Sequence, residues 1–400
     1  MKNKKILTLA ICGLLQASAA SYAADSFSDA ISDGKASLSF RYRFEFVDQD
    51  GFDKNAQAST LRTRLNYKTA SYNGFSFFIE ADNVMEVFED DYNAGAGNSP
   101  GNGMYPVIAD PQGTEINQAW FNYNFGEGND VKLGRQRILL DNQRFVGGVG
   151  WRQNEQTYDA VSGTFNLGGS KLFVAYVDNV NRIFGEDVAA GDNDNNTYLV
   201  NWSNKFADLG KLSVYYYDIK NNDVAAFSTQ TFGAKFAGNV NEFNYGIEFA
   251  NQNDAHNNAV DYSANYYRLD AGYNFGQVNA FGGYEVLEGD NNTAGAMFRT
   301  PLATLHAFNG WADKFLGTPQ DGLEDLFVGV KGNVEGFKWQ AIYHDFSAQD
   351  SSRDLGTEFD VAVAKKLSKK TSVLLKAAFY SADTHATDTN KVWFMVSHNF

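Results

Sequence analysis

From residue 24 onward, apolar and polar residues alternate in blocks of about ten, the length at which a tilted strand crosses a bilayer. "FNYGIEF" places Phe243, Tyr245, Ile247 and Phe249 on one face and Asn244, Gly246 and Glu248 on the other. "FSFFIEAD" sets Phe75, Phe77, Ile79 and Ala81 against Ser76, Glu80 and Asp82, and "EFDVAVAKK" sets Phe359, Val361 and Val363 against Glu358, Asp360 and Lys366. The closing "KVWFMVSHNF" alternates too, with Val392, Phe394, Val396, His398 and Phe400 in one phase. A period of two over so many blocks predicts strands. No stretch of 18 or more apolar residues follows residue 24, so helical membrane spans are excluded.

The connections alternate as well. Short joints fall at 71–74, 126–129, 167–170, 207–210, 238–241, 334–336 and 368–370. Longer Asn-, Gly- and acid-rich segments lie at 47–59, 87–113, 140–156, 182–195, 252–260, 288–322 and 382–389. Together they predict an all-β, transmembrane antiparallel barrel of about eighteen strands over residues 24–400, with short periplasmic turns and long extracellular loops. An even strand number puts both termini on one side. Closure is the physical reason: in lipid every backbone N–H and C=O needs a partner, and a closed sheet supplies them all. A soluble sandwich or propeller accounts for the alternation but not for the two-sided loop asymmetry. The last strand matches the type by which the barrel-assembly machinery takes up its clients, although His398 stands where an apolar residue is more usual.

Composition fits this reading. Aromatics make up 15%, with 33 Phe and 21 Tyr, yet mean hydropathy is -0.39. One face meets lipid and lipopolysaccharide, the other a wet lumen. A formal net charge of -15 argues against nucleic acid as a partner. Lys2, Lys4 and Lys5 ahead of "ILTLAICGLLQA", then Ser21 and Ala23, predict a signal peptide over 1–23 and export. Cys12, the chain's one cysteine, lies within it, so no disulfide is expected in the mature protein.

The first hairpin carries the clearest candidate chemistry. Leu38, Phe40, Tyr42, Phe44 and Phe46 take the lipid phase, which turns Arg41, Arg43 and Glu45 inward. Leu65 and Tyr67 do the same for Arg62, Arg64 and Lys68. Pairing across 47–59 brings the arginines nearly opposite one another, which is destabilising unless compensated. Either inward carboxylates such as Glu45, Glu80 and Asp82 neutralise them, or a positive strip remains for passing anions; an arginine fork suits carboxylates. Lys132, Lys235, Arg268 and Asp270 are further inward candidates. Arg135 and Arg137 fall in the outward phase of their strand, so a bulge or a place at the extracellular rim is expected. Segment 288–322 carries Phe298, Leu302, Leu305, Phe308, Trp311, Phe315 and Leu316, which predicts that it folds into the barrel mouth. No cofactor or metal motif is present: the histidines lack paired spacing, His344 near Ser347 is a weak lipase-like pair, and "GDNDNN" (191–196) lacks the glycine and closing glutamate of a calcium loop.

Residues 131–163, "VKLGRQRILLDNQRFVGGVGWRQNEQTYDAVSG", resemble the alginate-export family of outer-membrane channels. There a strand ending in Gly-Arg-Gln (Gly134, Arg135, Gln136) leads to a Gly- and Trp-containing loop (Trp151, Arg152), then to an aromatic-Asp pair (Tyr158, Asp159). The resemblance spans about 24–400. It implies a monomeric, eighteen-stranded channel with an arginine-lined lumen for a polyuronate, Arg135 and Arg152 included. Alginate exporters close the pore with a long periplasmic loop, whereas the periplasmic joints here are short. The expected function is therefore a porin-like channel for hydrophilic, anionic solutes, either uronates, saccharides or carboxylates. An alginate-type exporter, an outer-membrane enzyme and an adhesive barrel are the alternatives.

Overall fold

The computed structural model describes residues 24–400; the expected signal segment, 1–23, lies outside the described residues. Eighteen antiparallel strands form one sheet, from β1 (Lys35–Gln49) to β18 (Thr389–Asn399) in chain order. Each strand pairs with the next, and β1 pairs with β18 from Ser39↔Asn399 to Gln49↔Thr389, which closes the barrel. No helix among the described residues is long and apolar enough to cross a membrane.

Alternation sorts the wall into two faces. Leu65, Phe75, Phe121, Leu133, Phe232 and Leu375 are all more than half exposed on the outer phase. Apolar surface of that extent needs a non-aqueous neighbour, which the outer membrane supplies. On the inner phase, burial rises along each strand. In β1 the inward series runs from exposed Ser37 through Ser39 and Arg41 to fully buried Arg43, Glu45 and Val47. The other hairpins repeat this gradient. Toward the short turns the lumen is open and polar; toward the long loops it is filled.

The filling is made of loops. Phe298, Leu302, Trp311 and Phe315 of segment 288–322 are each at most 7% exposed, as its apolar content predicts. Phe145 from the loop at 137–156 packs against Tyr215, Tyr266 and Phe298, joining both loops to the wall. Three connections escaped the sequence pattern: the turn at 275–277 and the loops at 220–228 and 348–353. "GDNDNN" is not a free acidic loop, because β8 (Asp192–Phe206) begins inside it and turns Asp192 and Asp194 outward. Purified protein should need detergent, show β-type circular dichroism and migrate differently on gels before and after boiling; solubility without detergent would contradict the fold.

Candidate functional site

The inner wall of the first strands sets the geometry. In β2 (Ala56–Lys68), Arg62 lies directly across from Arg41, and Arg64 faces Ser39. In β3 (Phe75–Asp91), Asp82 faces Arg64 and Glu80 faces Asn66. The side chains point inward, yet they do not present a strip to solvent: Arg43, Arg62 and Arg64 are buried, Arg43 completely. What covers them is the loop at 137–156.

The arginines hold that loop largely by its backbone. Arg41 donates to the carbonyls of Gly150 (2.9 Å) and Arg152 and to Gln153 Oε1 (2.9 Å). Arg43 donates to the Trp151 carbonyl and to Asp110 Oδ2 at 2.8 Å, and Arg62 donates to the Gln153 carbonyl at 3.3 Å. Arg64 grips Asp82 with two nitrogens and Glu155 with a third (2.7 Å). Four guanidinium groups thus meet loop carbonyls and the buried carboxylates of Asp82, Asp110 and Glu155. Buried arginines left without partners would cost several kcal/mol each. Burial would raise the Glu155 carboxyl, but Arg64, Arg137 and Arg62 around it hold it well below the usual carboxylate range.

Arg137 and Arg135 part company at the end of β5 (Asn129–Gln136). Arg137 lies past the strand and turns inward to Glu80 and Glu155. Arg135 stays on the outer phase at the extracellular rim, where it pairs with Asp159 and with Glu186 of the next long loop. Its place among pore-lining residues is corrected accordingly: Leu133 and Arg135 share the outward phase, so the guanidinium is compensated on the outer face. Arg152 does reach the interior, donating to Glu45 (2.9 Å) and Asp313 (3.2 Å), which ties the loop at 137–156 to segment 288–322.

The second anchor is aromatic. Trp151 stacks on His306 with ring centroids 4.5 Å apart and 8° between planes, and meets Trp393 edge-on at 5.7 Å. Lys376 Nζ lies 3.7 Å from the Trp311 ring and 4.2 Å from the Trp151 ring, and donates to His306 Nε2 at 2.6 Å. His306 in turn donates from Nδ1 to Asp313 at 2.7 Å, a pattern that needs the neutral ring. Burial, against the pull of Asp313, keeps His306 well below the usual imidazole range. Nearby, the backbone N–H groups of Trp311 and Ala312 donate to Asp360 (3.2 Å) and Glu358 (2.7 Å) on the wall. Asn309 bridges Arg144, Glu285 and Asp325.

The remaining sequence candidates lie lower on the inner wall. Lys235 pairs with Glu248 at 2.9 Å; Arg268 pairs with Asp270 and Glu285. Lys68 is exposed at the end of β2, and Lys132 sits over the Trp120 ring at 4.6 Å. Glu155, Asp110 and Gln153, which complete the arginine cluster, went unseen in sequence; only the inward charge of the first hairpin signalled that partners were required. His344 donates from Nδ1 to Asp325 on the inner face at 2.8 Å, whereas Ser347 is in the outward phase and donates to Glu324, so the two form no catalytic pair. A groove of about 670 Å³ lined by Tyr273, Val328 and Tyr343 opens on the lipid face rather than the lumen.

A closed barrel with a polar lumen and lumen-directed loops has the architecture of an outer-membrane channel of the porin kind. Residues 35–296 match the family described as alginate export, and the chain belongs to that family. Three solved barrels share the fold. A BenF-like porin from Pseudomonas fluorescens Pf-5 has a TM-score of 0.71 at 13% identity, over 93% of this chain and 99% of that one. OccAB2 of Acinetobacter baumannii gives 0.69 at 14%, over 93% and 99%. OccK3 of Pseudomonas aeruginosa gives 0.67 at 12%, over 93% and 97%. None of the curated proteins matches the chain.

Proposed function

We propose that the protein is a monomeric, passive porin that prefers small anionic solutes and is delivered to the barrel-assembly machinery by its last strand. The observation that carries the preference is the charge of the open half of the lumen. By strand parity Lys68, Lys132, Lys171, Lys205, Lys331 and Lys338 are directed inward near the short turns, against few inward carboxylates there, Asp130 and Asp270 among them. Lys205 even faces Lys211 directly across the ladder. Field in a narrow aqueous pore is focused by its walls, so these lysines outweigh acidic loops lying more than a Debye length (about 8 Å) away. The covered arginines are assigned a different role, holding the loops.

The short connections on the periplasmic side favour a porin over a polymer exporter that closes from within. In planar bilayers the protein should give steady conductance and a zero-current potential on the anion side in a KCl gradient. Changing Lys68, Lys132, Lys331 and Lys338 to Gln should move that potential toward cations. A cation-selective wild type that the four changes leave unmoved would defeat the anion reading, and a liposome-swelling panel would then name the solute class.

A further inference from the structure

Near the short turns, the inner wall carries a row that the channel reading alone does not explain. Lys68 of β2 lies across from Phe78 of β3, Phe78 across from Trp120 of β4 (Gly113–Gly126), and Trp120 across from Gly134 of β5. Parity turns all four positions inward. Phe78 and Trp120 stack with centroids 5.1 Å apart and 21° between planes. Beyond the indole the row continues through Gly134 to Ala160, so no side chain longer than a methyl stands there. Gly134 has φ 118, and a Cβ on it would meet the Ala119 carbonyl at 2.3 Å, so the position resists any larger residue.

Two ammonium groups bracket this platform. Lys132 Nζ lies 4.6 Å from the indole centroid and Lys68 Nζ 5.8 Å from it. Among the described residues neither makes a salt bridge; Asp130, one inward position nearer the turn, is the carboxylate acting on Lys132. An ammonium held by a ring face keeps its donors available to an anion. Of the neighbouring inward residues, Asn66, Ser76 and Asn122 are neutral, Lys35 adds a further cation across from Lys68, and Glu80 is held by Arg64 and Arg137.

We propose that this row is a binding site for a planar aromatic monocarboxylate, its ring against Trp120 and its carboxylate shared by Lys68 and Lys132. The proposal rests on the anion-channel reading and names its solute class. Two charge-assisted contacts and one stacking contact supply both the affinity and the choice of a ring over an aliphatic acid.

The test uses the full mature chain in detergent, with 4-fluorobenzoate followed by ¹⁹F NMR line broadening. Wild type should broaden the line saturably, and glucuronate and fluoroacetate should compete poorly. Trp120→Leu, which removes the stacking contact, and the pair Lys68→Gln, Lys132→Gln, which removes both charge-assisted contacts, should each weaken binding about tenfold or more. Equal binding in both variants, each checked for heat-modifiable migration, would overturn the site. So would fluoroacetate binding as tightly as fluorobenzoate. Wild-type conductance is recorded in parallel: a conducting channel that does not bind the probe overturns this proposal alone, whereas a silent bilayer overturns the channel reading.

Discussion

Replacing Glu155 with Ala should release the loop at 137–156 and raise single-channel conductance. The carboxylate is 3% exposed and lies within ion-pair distance of Arg62, Arg64 and Arg137. Removing one partner of such a cluster leaves buried charge uncompensated, at a cost of about 3–5 kcal/mol. The wall does not depend on it, because every strand keeps its ladder, so the cost falls on the docked loop. Protease should then cut near Arg152, which is protected in wild type. Acid should act in the same direction. The Glu155 carboxyl is held well below its ordinary value, so its contribution is complete above about pH 4.3 and is lost as pH falls from there toward the depressed value. Unchanged conductance together with a protease-resistant loop would show that the cluster does not hold the plug.

Excising residues 299–317 should have the larger effect on the pore. Thr318 Oγ1 donates to the Phe298 carbonyl at 2.6 Å, so the two ends already touch and a short glycine link can join them. The segment removed carries Leu302, His306, Trp311 and Phe315, all buried, together with the amides held by Asp360 and Glu358. Conductance should rise severalfold while the β-type circular dichroism stays as in wild type. A deletion variant that folds and conducts like wild type would mean that the solute path avoids this loop.

Much of the wall was legible because a lipid–water boundary imposes a strict period of two, and Leu38 to Phe46 or Phe75 to Asp82 could take only one phase. Where the signal weakened, connections were lost. At 220–228 the run Val224–Phe227 reads as strand although it forms a loop, and at 275–277 only Gly276 and Gln277 separate Phe275 from Val278, too short a break to stand out from the apolar pattern. The inward fold of 288–322 was readable from its apolar residues. The covering of the arginines was not, because they hold the loop largely through the backbone carbonyls of Gly150–Gln153, which leave no trace in side-chain identity. The same limit hid Arg137, whose outward parity ends with the strand that defined it.

The lumen therefore holds two populations of cations under different dielectric conditions. The lysines near the short turns stand in water, and mobile ions weaken their field within about 3 Å at 1 M ionic strength. The arginines beneath the loop at 137–156 are shut away from those ions, and their ion pairs feel little of that weakening. On the proposed anion preference, rising ionic strength should erase the discrimination between solutes while leaving the aperture unchanged. In dilute surroundings the same channel, with the same opening, should become a more selective one.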